Sequence, residues 1–129
     1  MNGTILVDTS ILIALFRRDA QITQRLEKAV QIFAPSVALG ELYFGALKSN
    51  RVEENLNRIA QFVSENVILI CGIDTARFYG AIKHQLHLKG RPIPENDIWI
   101  AAIAREHQIT LVTRDAHFNQ VDDLAIEIW

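Results

Sequence analysis

Four acidic residues occupy positions where carboxylates can do chemistry. Asp8 ends the first apolar run of the chain, and Asp115 closely follows a later apolar run. Asp97 lies where a mostly apolar helix begins, and Glu41 is the exception within another apolar segment. Strand ends and helix N-termini border the crevice in which open α/β sheets bind their ligands. The pattern therefore predicts that these four side chains share one site.

A cluster of four carboxylates favours a particular chemistry. Like charges repel one another, so protons or a cation must compensate them. An all-oxygen ligand set suits Mg²⁺, with Mn²⁺ as a plausible substitute. Such a centre can hold one or two ions, activate water and clamp a phosphodiester for in-line displacement. Each acid taken alone also has a simpler interpretation, as a helix cap, a turn residue or a surface charge, and spacing leaves both interpretations open.

The hydrophobic pattern predicts strands that alternate with helices along the chain. Strands are expected at residues 5–7, 32–34, 67–70, 109–112 and 125–129, with helices in most of the intervals between them and an irregular stretch at 116–122. This order predicts an α/β fold with a mostly parallel central sheet and helices on both faces. The length of 129 residues fits a single domain over residues 1–129.

Helix start signals define the surroundings of two of the acids. Asn96 is a good N-cap and would place Asp97 in the first turn of the helix that follows. Thr9 or Ser10 would start the short helix after the first strand. Both acids are therefore expected next to the N-terminus of a helix.

Composition and charge exclude several classes of protein. The net charge is −2, with 13 Lys plus Arg against 15 Asp plus Glu, which is not the basic footprint of a general nucleic-acid binder. The single cysteine, Cys71, excludes an intrachain disulfide and is expected in the core. No apolar stretch approaches the roughly 20 residues needed to span a bilayer, and Asp8 interrupts the N-terminal apolar run. These features predict a cytoplasmic protein without membrane contact.

Four segments, taken in order, resemble one known family. They are VDTS at 7–10, ALGELYFGA at 38–46, NDIWIAA at 96–102 and LVTRDAHF at 111–118. Over essentially the whole chain they resemble the PIN domain and, more narrowly, the VapC-type toxins of bacterial type II toxin–antitoxin modules. The resemblance implies a Mg²⁺-dependent endoribonuclease that cleaves RNA. It implies that Asp8, Glu41, Asp97 and Asp115 are the catalytic and metal-binding acids.

The resemblance also implies supporting residues and partners. Ser10 and Thr113 match family hydroxyls that position acids or water, and Asn96 matches the polar residue beside the third acid. The family implies a homodimer and a cognate VapB-like antitoxin that wraps the toxin and blocks the metal site. Glu95 departs from many relatives, which carry a small residue there, so no RNA specificity is transferred. On the Glu41 helix, Tyr43 and Phe44 belong to the core or to a dimer or antitoxin surface, with the core favoured for one of the two.

Several other polar residues are weaker candidates. His84 and His87 share a helix at a spacing that could hold a metal, although a solvated face explains them better. His117 could touch a phosphate, but a turn position is favoured. The arginines that flank the site elements are candidates for substrate phosphates, namely Arg91, Arg105 and Arg114.

Two other functions compete with the nuclease. A receiver-like signalling domain also gathers acids around Mg²⁺ at strand ends, but it needs a second acid beside the first-strand acid and a lysine after a late strand. Neither is evident near Asp8 or Thr113. A catalytically silent PIN-like scaffold that binds RNA or protein is disfavoured by the complete set of acids.

Overall fold

Five strands form one sheet at the centre of the computed structural model, which describes residues 3–129. The strands are β1 Thr4–Val7, β2 Gln31–Pro35, β3 Val67–Leu69, β4 Thr110–Thr113 and β5 Ile126–Ile128. Their order across the sheet is β3-β2-β1-β4-β5, and all four pairings are parallel. The prediction of a mostly parallel sheet is confirmed.

Helices cover both faces of the sheet, as expected. They are α1 Thr9–Phe16, α2 Ala20–Glu27, α3 Ser36–Leu47, α4 Val52–Glu65, α5 Ile73–Lys89 and α6 Glu95–His107. Successive residues of a strand point to opposite faces. Ile5 and Val7 accordingly pack in the cluster formed with α1 to α4, whereas Leu6 packs in the cluster formed with α5 and α6. The central strand thus joins two apolar cores.

The topology creates a crevice between β1 and β4. The chain leaves β1 through α1 and α2 to reach β2 on one side, and it returns through α5 and α6 to β4 on the other side. Ligands of open α/β sheets bind outside the carboxyl ends of the strands at such a switch point. A receiver domain has the strand order 2-1-3-4-5 instead, so the receiver-like alternative is excluded by the sheet.

The third strand and its surroundings differ from the prediction. Strand β3 lies at the edge of the sheet, and Val67 and Ile70 are exposed rather than buried. Cys71 is exposed as well and is not a core residue. An apolar run does not by itself indicate whether a strand is central or at an edge, which is why burial was overestimated here.

Beyond β4 the chain is more regular than expected. Residues Ala116–Gln120 form a 3₁₀ helix where an irregular stretch was predicted. Within residues 3–129, no helix combines the length and apolar character required to cross a membrane.

Candidate active site

Asp8 is fixed at the junction of β1 and α1. Its Oδ1 accepts hydrogen bonds from the Ile11 N–H at 3.0 Å and the Ser10 hydroxyl at 2.6 Å, and its Oδ2 accepts one from the Thr113 hydroxyl. Asp8 is therefore the N-cap of α1, and the expectation that Thr9 or Ser10 would cap this helix is wrong. β1 ends at Val7, as predicted, but Asp8 itself has the extended capping conformation, so α1 begins one residue earlier than a Thr9 cap would allow.

Burial and neighbouring charge act on the Asp8 carboxyl in the same direction. Its side chain is almost completely buried, and this burial raises the pKa of Asp8 above its ordinary value. The hydrogen bonds from Ser10, Thr113 and Ile11 oppose this rise, while the negative charge of Asp115 adds to it. A cation near Asp8 would therefore stabilise the ionised form of this carboxyl, which burial and the charge of Asp115 disfavour.

Asp97 lies in the first turn of α6, as predicted, but the cap differs. The helix begins at Glu95 after Pro94, and the Asp97 N–H donates to the Pro94 carbonyl at 3.0 Å. Asn96 is inside the first turn and not the N-cap, because proline ends the preceding extended segment and is tolerated just before a helix. The Asn96 amide instead donates to Glu41 Oε1 at 2.6 Å.

This Asn96–Glu41 bond joins α3 to α6 and gives Glu41 the partner that a half-buried acid needs. Glu41 is thereby held beside the first turn of α6. Both residues face the same cleft as Asp97.

Thr113 connects the ends of β1 and β4. Its fully buried hydroxyl donates to Asp8 and accepts the Asp115 N–H at 3.0 Å. Ser10 forms a second connection, because its hydroxyl donates to Asp8 and accepts the Arg114 N–H at 3.1 Å. Two hydroxyls thus hold the acid after β1 in register with the residues after β4.

His117 contributes to the site although the sequence favoured a turn position for it. Its Nε2 lies 2.8 Å from Asp97 Oδ2. Asp97, Asp115 and His117 each present one ligand atom, and these atoms lie within 4.8 Å of one another. In the sequence, the only indication that His117 belongs to the site was its position two residues after Asp115. Its contact with Asp97, 20 residues earlier, depends on the 3₁₀ helix, which the sequence did not predict.

Asp97 shows the electrostatic character of the cluster. Burial raises its pKa, the neighbouring His117 lowers it, and the charges of Asp8 and Asp115 raise it again, with a net rise. The Asp115 carboxylate receives no hydrogen bond from residues 3–129, so its oxygens remain available to a ligand.

An open cleft of about 440 Å³ has Asp97 and Asp115 in its lining, whereas neither buried Asp8 nor His117 belongs to that lining. It is lined by Thr9, Ser10, Ile13, Glu41, Pro94, Glu95, Asn96, Asp97 and Asp115. The lining includes four carboxylates and, among the described residues, no lysine or arginine. The Thr9 hydroxyl is buried and has no hydrogen-bond partner within residues 3–129. Glu95 pairs with Lys83, whereas Glu41, Asp97 and Asp115 have no lysine or arginine partner among residues 3–129. Their oxygen donors, their negative charge and the unsatisfied hydroxyl together fit a hydrated hard cation.

The remaining candidates lie away from the cleft lining. His84 and His87 are exposed on α5, in agreement with a solvated face. Arg91 is exposed, the Arg105 guanidinium lies over the Phe78 ring at 5.6 Å, and Arg114 pairs with Asp19 at 2.9 Å.

Tyr43 and Phe44 on α3 are both exposed, at 40% and 65%. The expectation that one of them belongs to the core is therefore wrong. Because α3 is apolar on most of its surface, no polar stripe in its sequence indicates which face is exposed to solvent.

Comparisons with known proteins show the family to which the chain belongs. The family described as "PIN domain" matches residues 5–124. The chain is similar to "Ribonuclease VapC2" of Haemophilus influenzae, with 37% identity over 127 residues that cover 96% of each protein. It is also similar to "tRNA(fMet)-specific endonuclease VapC" of Shigella flexneri, with 33% identity and the same coverage.

A solved structure shows the same fold. The crystal structure of VapBC2 from Rickettsia felis, bound to a DNA fragment from its promoter, contains a chain that matches with a TM-score of 0.89. The two chains are 29% identical, and the match covers 98% of each.

Proposed function

The chain belongs to the PIN-domain family and, within it, to the VapC ribonucleases, and on this premise we propose that it hydrolyses RNA phosphodiester bonds in the acidic cleft with a divalent cation, Mg²⁺ or Mn²⁺. The charge of the cleft carries the proposal. Four carboxylates line it, and only Glu95 among them is paired with a lysine or arginine of residues 3–129, namely Lys83. The charge of Asp8, which is buried outside the lining, also acts on Asp97. RNA phosphates would be repelled from this cleft unless a cation were held there.

We assign the ion to the four acids that the sequence singled out. Asp8, Asp97 and Asp115 would hold it, and Glu41, which is fixed by Asn96 and lines the cleft, would complete the ligand set. A bound divalent ion supplies Lewis-acid stabilisation of phosphoryl oxygens and lowers the pKa of water in its shell.

The protein's own contribution is to fix its carboxylates before substrate arrives. Ser10 and Thr113 orient the Asp8 carboxylate through two hydroxyl hydrogen bonds. The Asp115 backbone is tied to the same threonine, so the acids after β1 and β4 keep one spacing. Preorganised groups of this kind need little rearrangement when charge develops on the phosphate.

The proposal includes regulation by an antitoxin. A groove of about 370 Å³ adjoins the cleft and shares Ile13 and Glu41 with it. Its apolar lining includes exposed Phe44, and its basic residues are Arg17, Lys48 and Arg58. An amphipathic peptide with acidic side chains fits such a groove, and from there it could reach and block the acids. The proposed place of action is the cytoplasm, and we keep the homodimer as part of the proposal.

The first experiment compares two N-cap aspartates that have different surroundings. Asp8 and Asp19 each accept a hydrogen bond from the N–H three residues ahead, but only Asp8 belongs to the acid cluster. Because asparagine also caps helices well, Asp8→Asn and Asp19→Asn should both remain folded.

Cleavage of total RNA with Mg²⁺ should be lost in EDTA. In Asp8→Asn it should fall by about two orders of magnitude or more, the effect of removing one group that stabilises a transition state, while Asp19→Asn stays active. Glu41→Gln should behave like Asp8→Asn. Full activity in folded Asp8→Asn would refute the proposal.

A further inference from the structure

His117 places a nitrogen donor among the oxygens of the proposed metal centre. Its Nε2 and one oxygen each from Asp97 and Asp115 lie within 4.8 Å of one another. Among residues 3–129, the other histidines, His84, His87 and His107, are exposed on α5 and α6 and belong to no such group.

The distance between the His117 and Asp97 donor atoms is that of neighbouring ligands around one ion. Neighbouring ligands of an octahedral ion with bonds of about 2.1 Å lie roughly 3 Å apart, and opposite ligands lie about 4.2 Å apart. His117 Nε2 and Asp97 Oδ2 are 2.8 Å apart. The same contact is a hydrogen bond when no ion is present, so the distance alone allows two roles for the imidazole.

The fold holds the His117 ring against the cleft. His117 is the second residue of the 3₁₀ helix that Asp115 starts, and the next residue, Phe118, is fully buried and contacts the imidazole with ring centroids 4.8 Å apart. Nδ1 has no hydrogen-bond partner among the described residues. It can therefore carry the ring proton and leave the Nε2 lone pair for an ion.

We propose that His117 is a direct nitrogen ligand of the divalent ion and that it shifts the preference of the centre from Mg²⁺ towards first-row transition ions such as Mn²⁺. The inference rests on the proposed function, because it presupposes an ion at the acids. Mg²⁺ selects oxygen ligands, whereas first-row transition ions bind imidazole nitrogen more readily, with Mn²⁺ the weakest binder among them.

The test measures binding rather than cleavage. The purified chain, freed of metal by a chelator, is titrated calorimetrically with MgCl₂ and separately with MnCl₂. Pulsed electron paramagnetic resonance of the Mn²⁺-loaded wild type then reports whether a nitrogen-14 nucleus is bound directly to the ion. His117→Gln retains a hydrogen-bonding group near Asp97 but offers no imidazole, and His84→Gln on the exposed face of α5 is the matched control.

Mutating even a hydrogen-bond partner of a metal ligand costs about 10–100-fold in metal affinity, so loss of a direct ligand should raise the Mn²⁺ Kd of His117→Gln by at least about tenfold. The Mg²⁺ Kd should change by less than about threefold. The nitrogen signal should be present in wild type and in His84→Gln and absent in His117→Gln.

Two results would overturn the inference. Mn²⁺ bound to wild type without a nitrogen signal, or a His117→Gln variant that loses affinity for both ions by the same factor, would make His117 only a hydrogen-bond partner of Asp97. The proposed nuclease would survive either result. If neither ion binds wild type more tightly than it binds Asp97→Asn, the metal centre itself is refuted and both proposals fail.

Discussion

Thermal melting of the Asp97→Asn variant distinguishes two roles for Asp97, that of a metal ligand and that of an acid that only stabilises the helix N-terminus. In wild type without metal, the pKa of Asp97 is raised by burial and by the charges of Asp8 and Asp115. Between the unfolded and folded pKa values the folded chain binds more protons, so this acid destabilises the fold increasingly as the pH rises through that interval. Above the raised pKa of Asp97 the full penalty is present, and replacing the carboxylate by a neutral amide removes it.

The stabilising interactions that Asp97→Asn removes are small. A negative charge in the first turn of a helix stabilises it by about 0.3–1 kcal/mol. The hydrogen bond between Asp97 and partly buried His117 contributes about 0.5–1.5 kcal/mol, and an asparagine side chain can still hydrogen-bond to the imidazole. We therefore expect Asp97→Asn to melt in EDTA at the wild-type temperature or above it.

Added Mg²⁺ should reverse the order of the two melting temperatures, so that wild type melts above Asp97→Asn. Ligand at about 100 times its Kd stabilises a folded protein by about 2.7 kcal/mol. The entropy of unfolding is about 2.1 cal/mol/K per residue, which for 129 residues is roughly 0.27 kcal/mol/K. Wild type should then gain about 10 °C in Tm. If the substitution weakens binding about 30-fold, the same Mg²⁺ concentration adds only about 0.9 kcal/mol, or about 3 °C.

The assay is a melting series for both proteins in EDTA and in rising Mg²⁺, repeated with Mn²⁺. Asp19→Asn serves as the control, since its acid caps α2 outside the cleft and should leave the metal response unchanged. Two observations together would refute the reasoning. They are a wild type whose Tm ignores both ions and an Asp97→Asn variant that is clearly less stable in EDTA, because Asp97 would then be a helix-stabilising residue and nothing more.

Three other perturbations test separate parts of the molecule. Thr113→Val removes a hydrogen bond to buried Asp8 and should lower the free energy of unfolding by about 1.5–3 kcal/mol. The measurement is urea unfolding, and an unchanged midpoint would show that this hydrogen bond does not stabilise the fold. In EDTA, wild type should gain stability relative to Asp97→Asn as the pH falls through the raised pKa, and a constant difference would contradict the assigned sign. Phe44→Asp should keep RNA cleavage but lose protection by a co-expressed antitoxin, whereas the similarly exposed Leu88→Asp should lose neither.

Local sequence patterns were sufficient to predict the alternation of elements and the places of the acids. The expected strands and helices are present, and Asp8 and Asp115 follow the neighbouring strands β1 and β4. The order of the five strands was beyond prediction, since it depends on which connection crosses which strand. The predicted burial of the third strand was wrong for the same reason, because the apolar residues Val67, in β3, and Ile70, just after it, do not encode an edge position.

Contacts between distant segments were the second limit. The helix-start signal at Asn96 was read locally as a cap, yet its amide serves Glu41, which lies 55 residues earlier. Likewise His117 had no recognisable partner until the 3₁₀ helix brought it to Asp97. In both cases the residue types indicated chemistry, but only the packing of separate elements determines which groups meet.

The hydrogen bonds of the three aspartates suggest how the site divides its work. Within the described residues, the Asp8 carboxylate accepts three hydrogen bonds, Asp97 is contacted by His117, and Asp115 accepts none. Asp8 is therefore the oriented member, since moving it would break the cap of α1 and leave the Thr113 hydroxyl without an acceptor. Asp115 has the most lone pairs free and the fewest constraints, so it can adjust to an ion whose position Asp8 sets. This division also explains why a residue needed to start a helix can serve a reaction: the hydrogen bonds that begin α1 are the ones that aim the carboxylate.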